Sequence, residues 1–505
     1  MGRRVMGAFV VFVVVALGGG CSDDEDAGGG SKVAGGSSSA ESSTTSTRPP
    51  VSRPDGPSAD LSEEITVAGV PFMGAAAGSE LPAGYEEHEY VASGEATAYS
   101  GPNPPTTDGR WSFEPTTTAP YRTRIVIRRP TDSARFSGTV VVEWLNVSGG
   151  LDANPDYASM SEEIARQGHA WIGVSAQLVG VAGGPVLVAA PGAEALVGKG
   201  LVGLVPDRYG SLSHPGDGYS FDIFTQVATA VRGGADLFGG KAPEVVLAVG
   251  ESQSAIALTT YYNGVQPLTV AFDGFLIHSR AFVSLPMVAA DQAADLSGAM
   301  TVSPAPVLLR DDLDAPVLEL QSEGDVIGVL NSAAVRQDDT DTFRLWEVAG
   351  TSHADRHLLG ALADQLDCGV EINDGPLHVV AKAALRALVE WVRTGEPPPV
   401  APRLELTDDT PPAMRRDEDG IALGGIRTPP VDAPTQVLSG QAGPSSDLMC
   451  LLMGSTLPLS VDRRAELYPT PADYERKFAA ALDSVIDAGF VLEEDRAAME
   501  AYSQP

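Results

Sequence analysis

The run Glu244-Val-Val-Leu-Ala-Val249 leads directly into Gly250-Glu251-Ser252-Gln253-Ser254-Ala255, and a segment at helical spacing follows to about Tyr262. A β-branched run, a Gly-x-Ser-x-Ser pentad and a helix in that order predict a sharp strand-to-helix turn with a serine at its tip. Positions two before and two after that serine must be small, because backbone passes close to backbone, and Gly250 and Ser254 meet the requirement. The turn also sets Ser252 at a helix N-terminus, where free N–H groups and the dipole favour developing negative charge. The pentad alone carries little weight. Gly35-Gly36-Ser37-Ser38-Ser39 repeats it in a stretch with nothing to bury, and a serine after a strand is commonly a helix cap.

Working outward, short β-branched runs alternate with helical segments from about Leu61 onward, which predicts an α/β fold: a mostly parallel central sheet with helices on both faces. Arg122–Arg128 alternates apolar with polar, Gly138–Leu145 is more apolar, and the two are expected to pair as a hairpin near the sheet edge. Asn154-Pro155 opens a helix to about Gln167, and the strand Ala170–Ser175 follows it. Phe221–Val231 reads as a helix, and further strands are expected at Val270–Ile277, Val317–Leu320 and Phe343–Val348. An amphipathic helix at Leu377–Val392 ends at Gly395, and the tail from about Pro471 is helical.

A serine becomes a nucleophile only if a histidine takes its proton and a carboxylate holds that histidine. With seven histidines in the chain the search is short. Pro316–Asp325 is a buried strand running into a turn with an acid at its end, and Phe343–Val348 leads through Ala349-Gly-Thr-Ser to His353. Asp325 and His353 are therefore the expected partners of Ser252, with Glu323 as the rival acid. His357 falls in the next helix and is expected to be solvated. His278, at the end of the Phe272–Ile277 strand, either lines the substrate cleft or is a satisfied structural residue.

Among 505 residues, 33 Lys+Arg against 67 Asp+Glu give a formal charge of −34, a field that repels nucleic acid. Arg3-Arg4, the apolar run Val5–Leu17 and Gly18-Gly19-Gly20-Cys21 read as an export signal over 1–20, shorter than a membrane span. Small residues before Cys21 resemble the lipobox of bacterial lipoproteins, which makes Cys21 the candidate for lipidation and the only expected link to a membrane; secretion without lipid is the alternative. Residues 21–60 are Gly, Ser, Thr, Pro and acid, a flexible tether to a domain at 61–505. Three cysteines, at 21, 368 and 450, are too few and too scattered for a structural zinc or iron–sulfur centre. Outside the cytoplasm Cys368 and Cys450 are available for one disulfide, the alternative being two buried thiols.

The segments around Ser252, Asp325 and His353 resemble the α/β-hydrolase superfamily over most of 61–505. More narrowly, Glu143-Trp-Leu-Asn-Val-Ser148, Arg208-Tyr-Gly-Ser-Leu212, Phe272-Asp-Gly-Phe-Leu-Ile-His278 and Gly424-Gly-Ile-Arg-Thr-Pro429 resemble a family of bacterial alpha/beta hydrolase domain proteins. Ser254 departs from the common Gly-x-Ser-x-Gly form. The resemblance implies the α/β-hydrolase fold and a serine hydrolase of carboxylic esters, or of amides, that needs no metal or organic cofactor and takes a small-molecule substrate. It also implies an oxyanion hole from the backbone N–H of Gln253 and one from Asn146–Gly150, with Val147 the first choice and Ser148 next. The Gly-, Ala- and Val-rich insertion at 178–206 would then be a lid, or else a plain surface excursion. A different class stays open, a hydrolase-like surface protein that binds without turnover; candidates for all three side-chain roles weigh against it.

Overall fold

The computed structural model describes residues 52–74, 79–188, 195–289, 291–295 and 305–503. The export segment, Cys21 and most of the tether lie outside the described residues. From Arg53 onward the chain already packs: Arg53 pairs with Asp273, Ala59 is buried, and the Ala59 N–H donates to the Gln226 carbonyl at 3.0 Å. The domain thus begins several residues before the expected boundary.

Nine strands form the main sheet: β1 (Asp60–Glu64), β2 (Tyr85–Ser100), β3 (Glu114–Pro130), β4 (Thr139–Trp144), β5 (Ala170–Val174), β6 (Val245–Glu251), β7 (Gly274–His278), β8 (Val317–Ser322) and β9 (Phe343–Val348). Their spatial order is β1-β2-β3-β5-β4-β6-β7-β8-β9. The first three pair antiparallel, as does β3 with β5, and every pairing from β5 to β9 is parallel. Along β4, Val140 and Val142 belong to one hydrophobic cluster and Val141 to the other, so both faces are covered. Phe224 and Val227 of the helix Ser220–Gly233 and Ile256 of the helix Gln253–Thr260 fill one side; Met160 and Ile164 of Pro155–Arg166 and Leu385 and Leu388 of Leu377–Thr394 fill the other.

Two expectations need correction, and one strand was not expected. β3 and β4 do not form a hairpin: β5 lies between them and pairs with both. Alternation of apolar residues says which face a strand buries, not which strand it neighbours, and a fully buried β4 is satisfied by parallel partners on either side. The long strand β2 has no counterpart in the sequence reading, because its glutamates, glycine and serines lower its strand signal. Those charges are met across the ladder: Arg129 Nε donates to Glu86 at 2.8 Å and Arg128 Nε to Glu87 at 2.7 Å. Finally β7 starts at Gly274 rather than Val270, because Val270 sits at φ 48°, closing the short helix Gln266–Thr269.

The chain leaves β4 toward β5 on one side and returns through β6 on the other, so the strand order reverses between β4 and β6. A crevice opens at the carboxyl ends of strands at such a switch point. Asn146 and Ser252 follow those two ends. Among the described residues no helix is long and apolar enough to cross a membrane.

Candidate active site

Ser252 follows the last residue of β6 and caps the helix Gln253–Thr260 with φ 62° and ψ −118°. A non-glycine residue in that region is strained, and the strain is what turns the hydroxyl out over the sheet edge. Packing explains the small neighbours. A Cβ on Gly250 would lie 2.9 Å from Leu258 Cδ1 and 3.0 Å from Ser254 Cβ. Ser254 is itself fully buried, and its Oγ has no hydrogen-bond partner. What the packing beside Gly250 demands of Ser254 is small size.

The structure brings together the three side chains expected to act as a unit. His353 Nε2 is 2.8 Å from Ser252 Oγ, and His353 Nδ1 is 2.7 Å from Asp325 Oδ1. The other Asp325 oxygen accepts from Ser279 Oγ and the Ser322 N–H, each at 2.7 Å. Burial acts to raise the Asp325 carboxyl, but the His353 imidazole and these hydrogen bonds outweigh it and hold the group below its ordinary range. Burial likewise acts to lower His353, and the Asp325 carboxylate overcomes it, so the imidazole lies above its ordinary 6.5.

Glu323, the rival acid, faces elsewhere. Its carboxylate accepts from Arg416 Nη2 at 2.6 Å and from the backbone N–H groups of Gly350 and Gly440 at 2.8 and 3.0 Å. It anchors the two loops that flank the site. The turn needs the close approach of Gly440, where a Cβ would meet the Gly324 nitrogen at 2.2 Å.

The loop after β4 reaches the serine turn as expected. Asn146 Nδ2 donates to the Glu251 carbonyl at 3.0 Å, and Asn146 Oδ1 accepts the Ser148 N–H at 2.8 Å. The Val147 N–H is already engaged, donating to Gln253 Oε1 at 3.2 Å. Gln253 Nε2 in turn donates to Gln177 Oε1 at 2.5 Å, and Trp144 Nε1 donates to the same oxygen at 2.9 Å. Gln177 escaped the sequence reading, since nothing local distinguishes a glutamine after a strand. A substrate oxygen that takes the Val147 N–H must displace the Gln253 side chain.

Two cavities adjoin these groups. One, about 390 Å³ including its open mouth, is bordered by Val147, Gln253, Val179, Val186 and Leu187. The amides of Leu187 and Val188 donate to the Ser148 carbonyl at 3.0 Å, so part of the 178–206 insertion is tied to this loop. The other is bordered by His353, Glu251, His278, Ser159 and Asp355. His278 is buried with Nδ1 3.0 Å from Asp156 Oδ1 and Nε2 unpartnered. His357 is half-buried and stacks on His378 at 3.6 Å, which corrects the solvated position expected for it. Its helix, Arg356–Leu359, is a single half-buried turn, with the His357 ring between His378 and the helix Pro155–Arg166. Among the described residues no group of three or more His, Cys, Asp or Glu is placed to hold a metal ion.

Cys368 and Cys450 are joined in a disulfide. Glu143 of the Glu143–Ser148 segment is fully buried and caps the helix Pro155–Arg166 from below, accepting the N–H groups of Asp156 and Tyr157 at 3.1 and 2.9 Å and Trp171 Nε1 at 2.8 Å.

A serine turned out at the carboxyl edge of a parallel sheet, served by side chains from the loops after later strands, is the arrangement of the α/β hydrolases. The chain belongs to the Alpha/beta hydrolase domain family, which matches residues 51–501. Among solved structures it is similar to a fungal esterase from Rhizomucor miehei (12% identity over 62% of this chain and 85% of that one, TM-score 0.31). It is also similar to an α/β serine hydrolase without a lid from Xanthomonas campestris (13%, 58% and 94%, TM-score 0.29) and to a cold-adapted esterase from an Arctic intertidal metagenomic library (12%, 55% and 90%, TM-score 0.26). No curated protein matches the chain.

Proposed function

We propose that the chain is an exported serine hydrolase of carboxylic esters, with amides as a secondary class, working through an acyl-enzyme on Ser252. The observation that carries this reading is the continuous pair of contacts from Ser252 Oγ to His353 Nε2 at 2.8 Å and from His353 Nδ1 to Asp325 at 2.7 Å. His353 takes the serine proton as Oγ attacks the ester carbonyl. Asp325 fixes the tautomer that leaves Nε2 free to accept and stabilises the imidazolium that forms. The backbone N–H of Gln253, the first residue of its helix, and that of Val147 receive the carbonyl oxygen as it gains charge, once the Gln253 side chain has moved aside. His353 returns its proton to the departing alcohol. Water activated by the same imidazole then releases the acid. Residues 178–188 of the insertion border the cavity beside Val147 and act as a lid over it, and their apolar side chains favour an uncharged acyl or alcohol portion.

Export and lipidation at Cys21 rest on the Arg3–Cys21 segment, and the Cys368–Cys450 disulfide suits an oxidising compartment. A reading without turnover, as a hydrolase-like binding protein, draws on one observation: the Val147 N–H is occupied by Gln253. A fluorophosphonate probe separates the two. Covalent labelling that disappears in Ser252→Ala supports catalysis, whereas a folded wild-type protein that never labels supports binding alone. Fatty-acid incorporation that is lost in Cys21→Ser tests the anchor.

A further inference from the structure

Asp325 is not the only carboxyl group that faces the His353 imidazole. Glu251, the residue before the serine, lies with Oε1 3.9 Å from His353 Nε2, the nitrogen that Asp325 does not touch. Both carboxyl groups are buried, Asp325 completely and Glu251 to within 5% exposure. At 3.9 Å Glu251 makes no hydrogen bond, so Nε2 stays available to Ser252 while sensing a charge in a site of low polarisability. The position is rigid. Glu251 ends β6, its carbonyl is held by Asn146 Nδ2 at 3.0 Å, and the strained Ser252 follows it.

Behind Glu251 stands a second acid–base pair. His278 is directly across from Glu251 in the parallel register of β6 and β7. Its Nδ1 is held by Asp156 at 3.0 Å and its buried Nε2 has no partner, while both His278 and Glu251 border the cavity beside His353. Asp156 is fixed in turn, its N–H donating to Glu143 at 3.1 Å. A carboxyl, an imidazole with an open nitrogen and the reacting imidazole thus share one small buried space.

We propose that Glu251 is a positioning residue for the reaction at Ser252: its carboxylate stabilises the imidazolium of His353 from the nitrogen opposite Asp325, and His278 on the adjacent strand limits that effect. The inference rests on the serine-hydrolase reading above. As the serine proton moves to Nε2, positive charge develops between two fixed carboxylates instead of beside one. No bond to Glu251 forms or breaks.

Four neighbouring elements supply the charged and titratable groups that act on Glu251: His278 from β7, Asp156 from the helix Pro155–Arg166, Asp325 from the turn after β8, and His353 from the loop after β9. Asp355 of that loop, His357 and His378 border the same cavity. Burial pushes the Glu251 carboxyl up to about 7, against the pull of His353 and His278. Its charge therefore switches on within the working range of an esterase. Glu251 favours protonated His353, and His278 disfavours it.

The test is kcat/KM against pH for p-nitrophenyl acetate with wild type, Glu251→Gln and His278→Gln, each checked by thermal unfolding and by fluorophosphonate labelling. Glu251→Gln keeps the shape and removes the charge. It should lower kcat about 10- to 100-fold with KM within about threefold, and move the acid limb down by about one pH unit. His278→Gln should move the same limb upward, so the inference stays testable if one variant fails to fold. A folded Glu251→Gln protein with an unshifted limb, or two variants that shift alike, overturns it. Wild type that labels while the limb stays fixed defeats this inference alone, whereas wild type that neither labels nor hydrolyses defeats the reading beneath it as well.

Discussion

His353 Nε2 lies 2.8 Å from Ser252 Oγ although 101 residues separate them in the chain. The contact joins the end of β6 to the loop after β9, across two intervening strands, and its chemistry depends on which acid holds the far nitrogen.

Asp325→Asn should lower kcat by about 10³- to 10⁴-fold while leaving the unfolding temperature near wild type, because the amide fits but selects the wrong tautomer. Glu323→Ala should do the reverse. It removes a buried carboxylate that holds Arg416 and two backbone N–H groups, and should destabilise by about 3 kcal/mol. Paired ester hydrolysis and thermal melts read both; near-normal activity in Asp325→Asn would reject the assignment.

Hydrolysis should fail on the acid side at a pH above the ordinary imidazole value. The neutral form of His353 accepts the serine proton, and the Asp325 carboxylate raises its pKa above 6.5. Protonation on acidification therefore begins earlier than for a free imidazole, and kcat/KM declines as pH drops through that raised value. An acid limb centred below 6.5 in wild type would contradict the charge distribution described here.

Ser252→Gly should abolish fluorophosphonate labelling and raise stability by about 1 kcal/mol, since glycine adopts φ 62° without strain. Gly250→Ala should destabilise by about 1–3 kcal/mol through the contacts with Leu258 and Ser254. Ser254→Ala deletes a buried hydroxyl that has no partner and should be neutral or stabilising by up to about 1 kcal/mol, with activity kept. Denaturant melts with labelling at saturation separate the three.

Reduction of the Cys368–Cys450 disulfide, or the double serine variant, should cost about 2–4 kcal/mol. Activity should fall before the whole domain unfolds. The histidine loop leans on the clamped segments through Ala354 N–H to Leu452 O at 3.1 Å and Arg356 N–H to Asn373 O at 2.9 Å, and Asn373 N–H donates to Met453 O at 2.9 Å. Esterase assays along a thermal ramp, with and without dithiothreitol, would show this as an inactivation midpoint below the unfolding midpoint.

Much of the site is legible in the chain because its signals are local. A β-branched run, a glycine and a helix around Ser252 specify a turn whose backbone admits only small neighbours, and the acid and histidine each follow a recognisable late strand. The expected acid, Asp325, is the one that faces His353, while its rival Glu323 pairs with Arg416. Neighbour relations are not local, which is why β5 appears between β3 and β4 and why the acidic strand β2 was invisible until its arginine partners stood beside it.

Residue order by itself determined the alternation of strands and helices, the strained turn at Ser252 and the candidates for its partners, because dihedral preference and apolar spacing act over a few residues. Tertiary structure alone decided that Gln253 occupies the Val147 N–H, that Glu323 anchors loops, and that Glu251 and His278 share a buried space with His353. Those facts depend on distances between segments far apart in sequence, set by how the packed helices bring the ends of the strands together.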